Sequence, residues 1–154
     1  MKSYLYLFFL IFIFTSCLNS ESDKEVTPTE PQTEADILKY IEDNNLNATK
    51  TDSGLYYVIN NKGTGTRPTS GSNVTVAYKG YFLDESVFDQ SNSSGISFGL
   101  NRVIAGWTEG IQLFKEGGDG ILLVPSNLGY GSSNYNGIPG GSVLIFDVKL
   151  ISVN

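Results

Sequence analysis

The side chains available for chemistry are unusual in kind. The 154 residues include no His, one Cys and one Trp, against nine Tyr and nine Phe. Without His there is no Ser-His-Asp triad, no Cys-His pair, no His-ligated metal and no imidazole base. A single Cys excludes an intrachain disulfide and a Cys-rich zinc site. The turns Gly63-Thr64-Gly65 and Gly117-Gly118-Asp119-Gly120 lack the Lys-Ser/Thr opening of a helix that would make them phosphate loops. A formal net charge of −6 supplies no basic face for nucleic acid. What remains is an aromatic set with a few polar atoms beside it, including Tyr78, Phe88-Asp89, Trp107, Tyr130 and Phe146. Such residues enclose an apolar group and orient it by hydrogen bonds; neither a cofactor nor a metal is expected.

The elements that must position these residues follow from periodicity. Leu55–Asn60 reads as a strand after the turn Asp52-Ser53-Gly54. Val74–Leu83 alternates, placing Val74, Val76, Tyr78, Gly80 and Phe82 on one face. Ile121–Val124 is a short buried run, and Val143–Val153 alternates again through Leu144, Phe146, Val148 and Leu150. Val103–Lys115 carries Trp107, Ile111 and Phe114 at helical spacing and stops at Gly117-Gly118. Strands with one internal helix point to an antiparallel α+β layer. Taken singly, Trp107 also reads as core, Asp89 as a turn cap, and Tyr78 and Phe146 as buried strand residues.

The N-terminal third has a different character. Lys2 precedes an uncharged apolar stretch, Tyr4–Phe14, too short to span a bilayer but right for a signal segment over residues 1–16. Thr15-Ser16-Cys17 after it resembles a bacterial lipoprotein box, with Cys17 the lipidated residue. The alternative is an ordinary signal peptide with an incidental Cys. If the resemblance holds, Leu18 in second position implies an outer-membrane destination in the bacterial envelope. Residues 17–34 are polar, acidic and Pro-containing, as expected of a disordered tether. Within residues 35–49, Ile37, Leu38 and Ile41 predict a short amphipathic helix over about 35–45, with Glu34 and Asp36 favoured at its start. The acidity sits here, since residues 18–43 have a net charge of −6 and residues 44–154 only −1.

Six motifs then fall in order along residues 50–154: Val76-Ala77-Tyr78-Lys79-Gly80, Phe88-Asp89, Val103-Ile104-Ala105-Gly106-Trp107, Leu128-Gly129-Tyr130-Gly131, Ile138-Pro139 and Leu144-Ile145-Phe146-Asp147-Val148. Together they resemble the FKBP-type peptidyl-prolyl cis-trans isomerases, in a bacterial lipoprotein form. The resemblance implies a five-stranded antiparallel sheet wrapped around one short helix. It implies catalytic roles for Tyr78, Asp89, Ile104 (through its backbone amide) and Tyr130. It implies a substrate pocket of Phe88, Phe98, Val103, Trp107, Ile138 and Phe146, with Trp107 under the proline ring and Ile96 on the strand lining the pocket's side. Partners implied are proline-containing polypeptides, a macrolide of the rapamycin class and, through the anchor, a membrane; a monomer is expected.

This residue set suits the reaction. Rotation about an X-Pro bond meets a barrier of about 18–20 kcal/mol because the twisted amide loses resonance. No proton has to leave, so the missing His is no obstacle. A site that binds the twisted amide better than either planar isomer accelerates rotation. A water-poor aromatic bowl and a few fixed donors can provide this. The rival expectation is a non-catalytic envelope module that holds clients or a partner with the same bowl. The family usually has Pro-Pro or Pro-Asn after the Ile; here Pro139 is followed by Gly140-Gly141, which should loosen that loop.

Overall fold

The computed structural model describes residues 30–154. Cys17, the signal segment and most of the tether lie outside these residues. Helix α1 (Glu34–Asp43) is followed by strands β1 (Thr49–Lys50), β2 (Tyr56–Asn61), β3 (Asn73–Tyr81), β4 (Val87–Gln90) and β5 (Ile96–Gly99). Helix α2 (Ala105–Gly110), β6 (Asp119–Val124) and β7 (Leu144–Val153) complete the order. Every pairing is antiparallel, in the order β1-β2-β6-β7-β3-β4, with β5 also on β3.

The sheet therefore has seven strands rather than the expected five. The extra count has a local cause. The far edge of β3 is covered twice, by β5 along Asn73–Val76 and by β4 along Lys79–Tyr81. The Ser91–Gly95 loop interrupts what would otherwise be one strand; its bend is closed by Gly95 N–H donating to the Asn92 carbonyl at 3.0 Å. The seventh strand, β1, is a two-residue pairing on β2 that carries no periodic signal.

Helix α2 crosses the inner face. Gly106 and Gly110 let it approach closely, because a Cβ at Gly106 would lie 2.5 Å from Val124 Cγ1 and one at Gly110 2.6 Å from Leu122 Cδ1. The expected helix over Val103–Lys115 is shorter for the same reason. Val103 is extended (φ −114°, ψ 175°), and after Gly110 the chain tightens into a 3-10 turn, Ile111–Leu113. Gly is a poor helix former, and here contact with β6 decides the course of the backbone. Trp107, Ile111 and Phe114 enter a core with Val74, Val76, Leu122, Val124, Leu144, Phe146, Val148 and Leu150.

A second core lies on the outer face. Ile37 of α1, 1% exposed, packs with Tyr56, Tyr81, Leu123, Val143 and Ile145. Glu34 accepts from Lys50 Nζ at 2.6 Å and from the Tyr56 hydroxyl at 2.5 Å, fixing the first turn of α1 to β1 and β2. Asp36 accepts from the Thr33 N–H at 2.6 Å and so caps the helix start. Residues 31–33, expected in the tether, are docked as well. Gln32 N–H donates to the Gly141 carbonyl at 3.0 Å, and its Oε1 accepts from Val143 N–H at 2.6 Å. Backbone groups just ahead of β7 supply partners that a composition argument cannot see.

Candidate active site

Sheet and helix enclose a cavity of about 450 Å³ at the β3–β4 end of the inner face. Register builds it. Gly80 of β3 lies between Asp89 of β4 and Phe146 of β7. A Cβ on Gly80 would sit 2.7 Å from the Phe88 ring and 2.9 Å from the Phe146 ring, so only Gly lets both rings cross β3 there. Tyr78, two residues back on the same face, reaches the same space. β5 brings Ile96 and Phe98, opposite Val76 and Val74. The turn into α2 supplies Arg102, Val103 and Ile104, and α2 supplies Trp107. Tyr130 and Tyr135 close the remaining side from the segment before β7.

The aromatic rings pack at angles. Trp107 meets Tyr78 edge-on (5.0 Å between centroids, 86°) and Phe146 likewise (5.2 Å, 84°), and Phe98 lies 5.4 Å away. Phe88 meets Phe146 at 5.6 Å and 90°. Edge-to-face contacts of this kind hold ring planes more firmly than burial alone. Trp107 is only 5% exposed, and its buried Nε1–H has no acceptor among the described residues.

The polar atoms sit at the mouth. The Tyr78 hydroxyl donates to Asp89 Oδ2 at 2.5 Å. Burial, then the adjacent Asp89 carboxylate, pushes the Tyr78 hydroxyl well above the usual tyrosine range. Tyr130 is raised too, mainly by burial, with Tyr135 and Asp89 adding to it. Both hydroxyls therefore stay protonated as donors at neutral pH. The Tyr130 hydroxyl and the Ile104 backbone N–H donate to no group of the described residues. These two donors are open to a ligand. No cluster of three or more His, Cys, Asp or Glu able to hold a metal occurs among the described residues.

Of the residues expected at the site, Tyr78, Phe88, Asp89, Phe98, Val103, Ile104, Trp107, Tyr130 and Phe146 all line this one cavity. Ile138 does not. It is 7% exposed and belongs to the inner core, pairing with Tyr135 through two backbone hydrogen bonds of 2.9 and 2.8 Å. It thus supports the loop that carries Tyr135. Tyr135 and Arg102 were not foreseen. Tyr135 is a lone aromatic in a Ser/Asn/Gly loop, and it comes to the site by stacking on Tyr130 (4.6 Å, 11°). Arg102 has no periodic neighbour; only its position just ahead of Val103-Ile104 hinted at the cavity.

An antiparallel sheet closed over a short helix, with an aromatic cavity between them, defines a class, and comparison with known proteins agrees. The model of the FKBP-type peptidyl-prolyl cis-trans isomerases matches residues 64–151, and the chain belongs to that family. Among curated relatives it is 34% identical to a probable FKBP-type isomerase, FkpA, of Neisseria meningitidis, over 92% of this chain and 64% of that one. It is 35% identical to FkpA of Escherichia coli over 90% of this chain and 51% of the relative. The chain thus spans about half to two thirds of the length of these relatives. The crystal structure of Escherichia coli FkpA superposes with a TM-score of 0.72 at 35% identity, covering 78% of this chain and 58% of that one. A peptidyl-prolyl cis-trans isomerase from Pseudomonas syringae pv. tomato gives 0.72 at 29% identity, covering 83% and 97%.

Proposed function

We propose that the protein accelerates cis–trans rotation of X-Pro bonds in exported polypeptides, with the described cavity as its active site. One observation carries the reading: an apolar aromatic bowl with Trp107 in its wall and two uncommitted donors, Ile104 N–H and Tyr130 hydroxyl, at its mouth. Cis and trans isomers differ by only about 0.5–1 kcal/mol, so the task is one of rate. The bowl takes the pyrrolidine ring and strips water from the amide, which favours the less polar twisted form over the planar one. Ile104 N–H and Tyr130 fix the substrate backbone on either side of the bond. Asp89, holding Tyr78, keeps the polar edge in one arrangement. Every interaction that strengthens as the amide twists lowers the barrier.

The test is a proline tetrapeptide isomerisation assay on the full chain in detergent, with and without a macrolide of the rapamycin class. Catalysis that the macrolide blocks is expected. Absence of acceleration over the thermal rate at micromolar protein would refute the enzymatic reading. A client-holding module is the second reading, and the exposure of Ile96 (46%), Tyr130 (39%) and Tyr135 (50%) around the mouth favours it. It would gain if a catalytically dead variant suppressed client aggregation as well as the parent chain. We further propose that the domain is held at the bacterial outer membrane by lipid on Cys17 and acts as a monomer. Mass spectrometry of the membrane-derived protein should find acyl chains on Cys17; an unmodified Cys17 would defeat this part.

A further inference from the structure

Arg102 ends the 3-10 turn Leu100–Arg102 and lines the cavity mouth two residues ahead of Ile104. It is exposed and, among the described residues, makes neither an ion pair nor a side-chain hydrogen bond. The other described arginine, Arg67, donates to the Gln112 carbonyl, and no lysine lines the cavity. Asp89, the acidic residue of the cavity, accepts from the Tyr78 hydroxyl and does not pair with Arg102. An uncommitted guanidinium therefore stands at the edge of an apolar bowl, where the low-dielectric wall lengthens its reach. Its forked donors match a carboxylate in geometry as well as charge.

We propose that Arg102 is a specificity-determining residue that selects clients with an Asp or Glu beside the proline. The inference rests on the cavity taking X-Pro segments. Arg102 shares its short segment with Ile104, so the acid it favours lies on the flank of the proline held by the Ile104 N–H. Asp89 repels an acid brought to its own side of the mouth. The preference is consequently positional, and it does not extend to acidic peptides in general.

The test uses four blocked tetrapeptides with one proline, carrying Glu or Gln directly before it or directly after it. Binding to the full chain is followed by the fluorescence of Trp107, the single Trp of the chain, and turnover by NMR exchange. At low salt, Glu should exceed Gln by about two- to fivefold at one flank only, the range of an exposed ion pair. The ratio should shrink in about 0.5 M salt, where charges are screened within a few ångströms. Arg102→Gln should bring the ratio to one, and Arg102→Glu should invert it. Each ratio is taken within one variant, so a loss of folded protein cancels. Equal binding and turnover of Glu and Gln peptides at both flanks, or a preference that survives Arg102→Gln, would overturn the assignment while leaving the isomerase reading intact. Failure of all four peptides to bind or isomerise would overturn both.

Discussion

At the residue scale, the Tyr78–Asp89 contact is the most consequential polar feature of the site. Among the described residues the carboxylate makes no ion pair, and its one side-chain hydrogen bond comes from the Tyr78 hydroxyl, at 2.5 Å. Asp89→Asn replaces the charged acceptor of this bond with a weaker neutral one. About a tenfold fall in kcat/KM is expected, with little change in melting temperature because Asp89 is exposed. Tyr78→Phe should cost a similar amount. The double variant should lose little more than either single one, since both act through the same bond. Additive losses would show that the two residues act separately. Trp107→Ala is a poorer probe, because a Trp that is 5% exposed and packed on three aromatic rings supports the fold as well as the cavity.

At the scale of elements, α1 was legible from Ile37, Leu38 and Ile41, but not what it covers. Period-2 alternation in β7 puts Leu144, Phe146, Val148 and Leu150 on one face and leaves Ile145 on the other. Yet Ile145 is fully buried, because α1 lies over it. Ile37→Ala should therefore destabilise the whole domain by about 2–5 kcal/mol, as for any large-to-small change in a closed core. Gln32→Ala, which loses the bond to Val143 N–H, should cost about 1 kcal/mol. Chemical denaturation with a single coincident transition for both variants is the check. If Ile37→Ala left the midpoint unchanged, α1 would be a loose appendage. The long strands β3 and β7 could be read from the sequence because their apolar residues alternate, and β6 because it is a continuous apolar run. β1 and β4 could not, and β5 came only through the family resemblance, all three being two to four residues long and defined by their partner's edge.

At the scale of the whole molecule, the absence of His and the raised tyrosines fix the response to pH. Activity should be flat between about pH 6 and 9, since no imidazole titrates there. Tyr78 and Tyr81 are both raised above the ordinary value of 10.0, Tyr81 by burial and by the nearby Asp147. Above about pH 10 the unfolded chain releases tyrosyl protons that the folded chain retains, so stability falls as pH rises. Alkaline melts should show this drop, reduced in Tyr81→Phe; a melting temperature constant through the alkaline range would contradict it. The sequence by itself determined the reaction types open to the chain, the alternating faces of its long strands and nearly every aromatic residue of the cavity. Residue type and spacing are local properties, and six motifs in order constrain one another. Only the tertiary structure decided that Ile138 supports the cavity from behind, that Tyr135 and Arg102 stand at its mouth, and that α1 closes a second core. Those outcomes depend on which backbone and side-chain groups meet across distant segments, and no local period records such meetings.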